Sequence, residues 1–594
     1  MGSWTIVSAL ESARVRGAVD LGRGLFLLGE ANLPLRVEGP GLDVVALSGA
    51  GAIGTRFLRN PDDLTAWLSQ NPSMAPAAIG AALRGAVSAV LWEPATGSFH
   101  VTPDPLGSSF VFMWSEGATT VVSSHLDSLI DVVGQLGTTL RKSMSYLLST
   151  LVVGHGGYYP TSYEGVEVLP QGSLLRLSAD AHEIVHDQQP DVGQATYREL
   201  LTQTRTEILN NVVAAAEAPA EHRIAHLTGG ADTRLMLSAL LQAGVADRFS
   251  FFCSGPDNSI DRVVSDGLIR QYGLTPTKHP GFDLELEPLS YRERTLATSQ
   301  MVSGLMPAGP SLGMREPEGG SVILSGGYGG LLRSHYGSRI DPEKIQFGPD
   351  LLRQIWGNLA FGDKGQRLSS TGLHQDISER IGRKYKELAS NGFNDDALMD
   401  ALFLTVRNRY YVGLISSTVS RAVSRFDPLY TPVGAHWGLS LPLRDRATNV
   451  AGFDLMESMA PGLRNWEFDF PRFSDRFVSL RGAQDVKPLP ANGSLPWDGR
   501  TNKVVGSAGA GLPLPTGQHV DFANSIRASA AQVAGLDFVQ SQCRELVAGI
   551  GRRELEPHFD WVVLNRLLRP GLKSRGPIRS VYYLYNSLLW YYEG

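Results

Sequence analysis

The sequence predicts an α/β protein with an α+β N-terminal part: an antiparallel sheet sandwich, then a parallel α/β unit with a helical C-terminal extension. Three observations carry this. Short β-prone runs divided by turn residues fill 86–123. From Tyr197 onward apolar strands alternate with helical periodicity, the texture of a parallel sheet. From about Asp395 helical spacing dominates. A chain of 594 residues exceeds one ordinary core, so two units are expected, 1–193 and 194–594, divided near Gly193 where the texture changes.

In the first unit the runs 86–92 (AVSAVLW), 98–102 (SFHVT), 110–114 (FVFMW) and 119–123 (TTVVS) predict strands. Pro94, Gly97, Pro103, Gly107 and Gly117 separate them as turn residues. Residues 174–177 and 183–186 predict one more hairpin. In the second unit Leu200, Leu201, Ile208, Val212 and Val213 share one side of a helix over 197–216. A strand at 223–227, a glycine loop, a helix from Thr233, a strand at 249–253 and a helix near 263–272 follow. Residues 321–324 read as a later strand of the same sheet. The stretch 484–518 is rich in Pro and Gly and serves as either a linker or an active-site loop. The closing run YYLYNSLLWYYEG reads as helix-packing surface.

Composition narrows the function classes. A net charge of -6 gives no reason to expect a nucleic-acid partner. No apolar run approaches the roughly 20 residues a membrane helix needs, so no membrane partner is expected. Two cysteines exclude a disulfide framework and suit the cytoplasm. The first ten residues lack the basic and apolar regions of a signal peptide. His182-Glu183-Ile184-Val185-His186 matches the zinc-protease pattern H-E-x-x-H, which needs a helix. On the strand expected here the two imidazoles stand about 13 Å apart, too far for one zinc.

The loop Thr228-Gly229-Gly230-Ala231-Asp232-Thr233 ends an apolar strand and opens an apolar helix. Glycines allow close backbone approach to an anion, and the amides and dipole at a helix start favour phosphate. An ordinary glycine turn with a capping Asp or Thr accounts for the same residues. Ser325-Gly326-Gly327-Tyr328-Gly329-Gly330 is a second glycine-rich loop after the 321–324 strand.

The stretch 225–244 (AHLTGGADTRLMLSALLQAG) resembles the ATP-pyrophosphatase loop of the asparagine synthetases, Ser-Gly-Gly-x-Asp-Ser, with Thr228 and Thr233 in place of the serines. The N-terminal part resembles the glutaminase domain of those enzymes. The turn Asp104-Pro105-Leu106-Gly107, the segment 121–129 (VVSSHLDSL) and the stretch 154–175 carry that likeness, the last with its Thr161-x-Tyr163-x-Gly165-Val166 and Leu169-Pro170-x-Gly172 patterns. Arg425-Phe426-Asp427-Pro428-Leu429, 439–443 (LSLPL) and 460–463 (APGL) resemble later segments, the first two that family's helical segment behind the nucleotide.

The resemblance implies an N-terminal-nucleophile (Ntn) hydrolase-like sandwich on a PP-loop ATP-pyrophosphatase domain. It implies ATP-dependent amide formation through an acyl-adenylate, with AMP and pyrophosphate released and ATP and Mg2+ as cofactors. It places Leu227, Thr228, Gly229, Gly230, Asp232 and Thr233 at the nucleotide, with Ser254 by the adenine, Ser325, Gly326 and Gly327 on the second loop, and Asp232 on the metal. A late lysine assists catalysis in the family. Lys487 is the candidate here, with Arg472 and Lys503 as competitors. Asp261 stands where the family often has an acid, and a helix cap is the alternative. The family's second loop ends in an acid, where this chain has Gly330; Arg333 offers charge nearby. The family's glutaminase nucleophile is the cysteine after the initiator methionine. Here Gly2 follows Met1, and the two cysteines are Cys253 and Cys543. The expected activity is therefore closer to β-lactam synthetases and lasso-peptide cyclases, joining a small-molecule or peptide carboxylate to an amine, as a lactam or an intermolecular amide, without glutamine. A non-catalytic nucleotide- or peptide-binding scaffold from the same family is the competing expectation.

Overall fold

The computed structural model describes residues 3–8, 15–20, 24–29, 41–178, 181–186, 195–255, 259–285, 289–307, 313–336, 367–489, 512–526 and 528–594. Gly2, the Gly193 boundary, Lys503 and most of 484–518 lie outside them.

Among the described residues twelve strands build the first unit: β1 (Trp4–Ser8), β2 (Val19–Asp20), β3 (Leu25–Gly29), β4 (Asp43–Ile53), β5 (Arg56–Leu58), β6 (Leu83–Glu93), β7 (Ser98–Pro103), β8 (Phe112–Glu116), β9 (Thr119–Ser123), β10 (Glu167–Val168), β11 (Ser173–Leu177) and β12 (His182–His186). They form two sheets of six, ordered β10-β8-β9-β1-β3-β2 and β12-β11-β7-β6-β4-β5, and every pairing is antiparallel. Trp4, Ile6 and Val122 from one sheet share a buried cluster with Val45, Val90 and Val101 from the other, so the sheets pack face to face. The expected runs at 86–92, 98–102 and 119–123 lie in β6, β7 and β9. The run at 110–114 starts two residues late, at Phe112, with Phe110 and Val111 buried just before β8 begins. The His182–His186 segment is a strand paired with β11, the hairpin expected for 174–177 and 183–186.

The second unit opens with the helix Tyr197–Glu217, started by a capping box between Thr196 and Glu199. It then builds a parallel sheet from β13 (His222–His226), β14 (Ser250–Phe252), β15 (Thr275–Pro276), β18 (Ser321–Leu324) and β19 (Ser424–Phe426), in the order β15-β14-β13-β18-β19. A two-stranded sheet, β16 (Asp283–Glu285) with β17 (Gly313–Arg315), lies outside it. Arg425 and Phe426, expected in a helical segment, form the edge strand β19 instead. Phe426 is buried edge-on against Phe57 of the sandwich, at 5.6 Å between ring centroids, and strand geometry gives it that reach. Helices run on to the C-terminus, and the aromatic run lies within the helix Arg575–Glu593, where Tyr585 and Trp590 are buried. Among the described residues no helix is long and apolar enough to cross a membrane.

The Asp104–Gly107 turn ties the two units together. Asp104 is fully buried and accepts the amides of Ser108 at 2.9 Å and Ser109 at 2.6 Å, while the Tyr430 hydroxyl donates to its Oδ1. The Leu106 amide donates to the Tyr430 hydroxyl at 2.7 Å. Arg409, also buried, donates to the Gly107 carbonyl at 2.8 Å and the Leu169 carbonyl at 2.6 Å. Burial pushes the Asp104 carboxyl up to about 6, against the opposing pull of Tyr430, the two amides and Arg409. A folded pKa above the unfolded one means the fold binds the extra proton. This contribution to stability is full below the unfolded pKa of 3.8 and is lost as pH rises through about 6. At about 1.4 kcal/mol per unit, the loss is on the order of 3 kcal/mol. Asp104→Asn cannot ionise, so its stability relative to wild type should improve by roughly that amount between pH 4 and pH 7. Urea unfolding at the two pH values measures it, and an unchanged difference would refute the assignment.

Candidate functional site

The parallel sheet reverses direction beside its first strand. From β13 the chain steps to β14 and β15 on one side, then returns to β18 and β19 on the other. Open α/β sheets bind ligands at such a switch point, outside the carboxyl ends of the strands. Both glycine-rich loops leave the sheet there, one after β13 and one after β18.

The first loop is held from three directions. The Leu227 amide donates to the Phe252 carbonyl at 2.8 Å, fixing the loop's start to β14. The Thr228 amide donates to the Thr233 hydroxyl at 3.0 Å, and the two hydroxyls lie 3.1 Å apart. The Gly230 amide donates to the Thr228 hydroxyl at 3.3 Å. These hydroxyls, expected to face a ligand, also shape the loop. The Gly229 amide donates to Asp261 Oδ1 at 2.9 Å, and the Gly229 carbonyl accepts the Asp469 amide at 3.1 Å. Asp261 thus belongs to the loop rather than merely capping its own helix, whose N-cap is Ser259. Gly230 is the N-cap of the helix Ala231–Gln242 and supplies no side-chain cap, so the opening amides of that helix lack the partner a Ser or Asp would give.

The second loop lies directly on the first. A Cβ on Gly326 would stand 3.0 Å from the Thr233 nitrogen, and one on Gly329 would stand 2.5 Å from Asp232 Cβ. Glycine is what lets the two backbones meet. Ser325 is fixed through its amide to the Phe426 carbonyl at 3.2 Å and through its hydroxyl to Arg425 at 3.2 Å. Gly327 faces Asp427, which the Ser416 hydroxyl and Arg425 hold. Tyr328 is buried and shares a short hydrogen bond with the Ser108 hydroxyl, so this loop also touches the sandwich.

Arginines surround the paired loops. Arg333 Nη2 donates to Asp232 Oδ2 at 2.7 Å. Arg472 Nη2 donates to Asp469 Oδ1 at 2.6 Å and lies 3.9 Å from the place of a Gly230 Cβ. Arg234, fully buried over the Phe468 ring at 3.6 Å, donates to the carbonyls of Trp466 and Glu467, both at 2.6 Å. Burial and then Arg425 push His226 down to about 4, so this imidazole is neutral at pH 7. Its Nε2 is buried with no hydrogen-bond partner among the described residues.

The other expected positions fall as follows. Ser254 is exposed beyond β14, where Arg262 donates to the neighbouring Cys253 carbonyl at 2.6 Å. Lys487 pairs its backbone with the 465–467 segment, through bonds of 2.7 Å to Asn465 and 2.9 Å from Glu467, and its side chain is exposed. Arg472, a competitor for its role, reaches the loop itself. Cys253 and Cys543 are buried in the second unit, with thiols pushed up by burial, Cys253 to about 12. Asp469, His226 and Arg425 escaped the sequence reading as site residues. Only the position of His226, one residue before Leu227, signalled it.

A magnesium ion does not fit these residues as they stand. The Asp232 carboxylate is taken by Arg333, and position 330 is a glycine whose Cβ would have Phe403, at 3.8 Å, as its nearest neighbour. Asp261, Asp469 and Asp427 face an amide, an arginine, and an arginine with a serine respectively. Among the described residues no group of three or more His, Cys, Asp or Glu converges on a metal position.

No family model matches this chain, and no curated protein matches it. Among solved structures, the glutamine phosphoribosylpyrophosphate amidotransferase of B. subtilis, complexed with ADP and GMP, aligns with 60% of this chain and 79% of its own length. The identity is 13% and the TM-score 0.19, a likeness too weak to bear on activity. The chain is a mixed α/β protein whose antiparallel sandwich packs on a parallel sheet with two touching glycine loops at its switch point.

Proposed function

We propose that the protein is an ATP-dependent amide ligase of the asparagine synthetase type, with an Ntn-like sandwich that hydrolyses no glutamine and a PP-loop domain that adenylates a carboxylate. One observation carries this reading: two glycine loops meet at the switch point, and the first of them opens a helix with no side-chain cap. Opening amides of the helix and the flanking guanidiniums would bind the β- and γ-phosphates. A substrate carboxylate oxygen attacks the α-phosphorus, the bond to the β-phosphate oxygen breaks, and pyrophosphate leaves. An amine then attacks the acyl carbon, AMP departs with the bonding electron pair, and the nitrogen gives up a proton to the departing phosphate or to solvent. Fixed donors offset charge on the phosphates at little reorganisation cost. No step is routed through a metal. Neither cysteine of the sequence offers an accessible thiol for glutamine hydrolysis, which supports an amine delivered by the substrate.

The test is pyrophosphate release from ATP with a panel of small-molecule and peptide carboxylates. Product with at least one acid, and no glutamate released from glutamine, is the expected result. Lys487→Ala should lower kcat by about 100-fold with little change in KM if its ammonium stabilises the transition state. ATP binding without pyrophosphate release with any acid would favour the scaffold reading, which the Asp232–Arg333 pair and Gly330 support. Absence of both nucleotide binding and turnover would remove the ligase reading altogether.

A further inference from the structure

Where this family's chemistry calls for a divalent cation, the chain presents a guanidinium. Arg333 Nη2 lies 2.7 Å from Asp232 Oδ2, on the carboxylate that would otherwise bind the ion. Asp232 cannot be joined by a second acid from the neighbouring loop, because that loop offers Gly329 and Gly330.

Arg333 is anchored on both flanks. On one side Gly329 packs against Asp232, and the Arg333 amide closes the short helix Gly329–Leu332 onto the Gly330 carbonyl. On the other side the Ser334 amide donates to the Arg446 carbonyl at 3.2 Å. The Ser334 hydroxyl donates to Asp400 at 2.9 Å, and the His335 amide donates to the same carboxylate at 3.2 Å. Backbone held this firmly gives the guanidinium a fixed origin. Its charge is permanent, and its planar fork has five donors. One donor is engaged by Asp232, and Nε is buried without a partner among the described residues. Arg472 supplies a second guanidinium across Gly230.

We propose that Arg333 stands in for the divalent cation, so that the paired glycine loops take a pyrophosphate group without metal. This rests on the reading of the loops as a phosphate site. Asp232 then orients Arg333 rather than binding an ion. The ligand class is a diphosphate oxyanion, either free or as the tail of a nucleotide.

Calorimetry on the full chain tests it, with inorganic pyrophosphate, ATP and AMP as probes, each in excess EDTA and again in excess magnesium. Pyrophosphate and ATP should bind in EDTA within about threefold of their affinity in magnesium, and AMP far more weakly. Arg333→Ala should weaken pyrophosphate binding by about 30-fold in EDTA, and Arg333→Lys should restore part of it. Asp232→Asn should lower affinity only a few-fold, since it leaves the guanidinium in place. Circular dichroism of each variant guards against unfolding. Binding abolished by EDTA and restored by magnesium would overturn the proposal while sparing the ligase reading. An unchanged affinity in a folded Arg333→Ala protein would do the same. No binding of pyrophosphate or ATP in either medium would overturn both.

Discussion

Arg446→Ala should destabilise the protein by roughly 3–5 kcal/mol, the cost of leaving a buried charge without its partner. Arg446 is 1% exposed and Asp400 4%. Nε donates to Asp400 Oδ2 at 2.9 Å, Nη1 to the Leu439 carbonyl at 3.2 Å, and short bonds reach the Leu441 and Asp396 carbonyls. Alanine would take the guanidinium's donors from all of these acceptors and leave the buried Asp400 charge without its arginine. Burial already raises the Asp400 carboxyl, and Arg446 is the largest influence opposing that rise. Without the arginine the carboxyl should rise further, so the variant's deficit should shrink as pH falls. Asp400 also holds Ser334 and His335, so the loss should travel to Arg333 and weaken pyrophosphate binding as well. Urea unfolding of Arg446→Ala, Asp400→Asn and the double variant checks the account. A single-variant cost under about 1 kcal/mol would mean the pair is not the strut described here.

Gly329→Ala should separate the two glycine loops. The added methyl would stand 2.5 Å from Asp232 Cβ, and Asp232 sits in the first turn of its helix, where its Cβ cannot swing aside. Overpacking of this kind costs about 1–3 kcal/mol. The functional loss should be larger, because displacing reacting groups by about 1 Å can cost 10²-fold in rate. On the ligase reading, pyrophosphate release should therefore fall by about 100-fold. Gly330→Ala is the control. Its methyl would meet only Phe403 at 3.8 Å, so both stability and turnover should stay near wild type. Equal behaviour of the two variants would refute the claim that close backbone contact builds the site.

Much of this protein is local and therefore legible in one dimension. Turn residues bracket β6, β7 and β9, and the Thr196–Glu199 capping box starts the helix the apolar spacing demanded. The Thr228–Thr233 loop announced itself because glycines, hydroxyls and the following helix are neighbours in sequence. Less was legible where packing overrides propensity. In β4 the run SGAGA has little β preference, yet ten of its eleven residues are buried between β5 and β6. Phe426 is a strand residue because β19 pairs in parallel with β18, and it packs on Phe57, some 370 positions earlier.

The site's electrostatics came wholly from the tertiary fold. Asp232 meets Arg333 across 101 residues, Gly229 meets Asp261 across 32, and Asp104 meets Tyr430 across 326. Sequence named Asp232 as a metal ligand and Arg333 as a nearby charge. That the second occupies the first follows from how Gly329 seats one loop on the other. Propensity and capping act over a few residues, so a sequence can state them; charge pairing depends on where a distant chain segment returns, and only the packed structure fixes that.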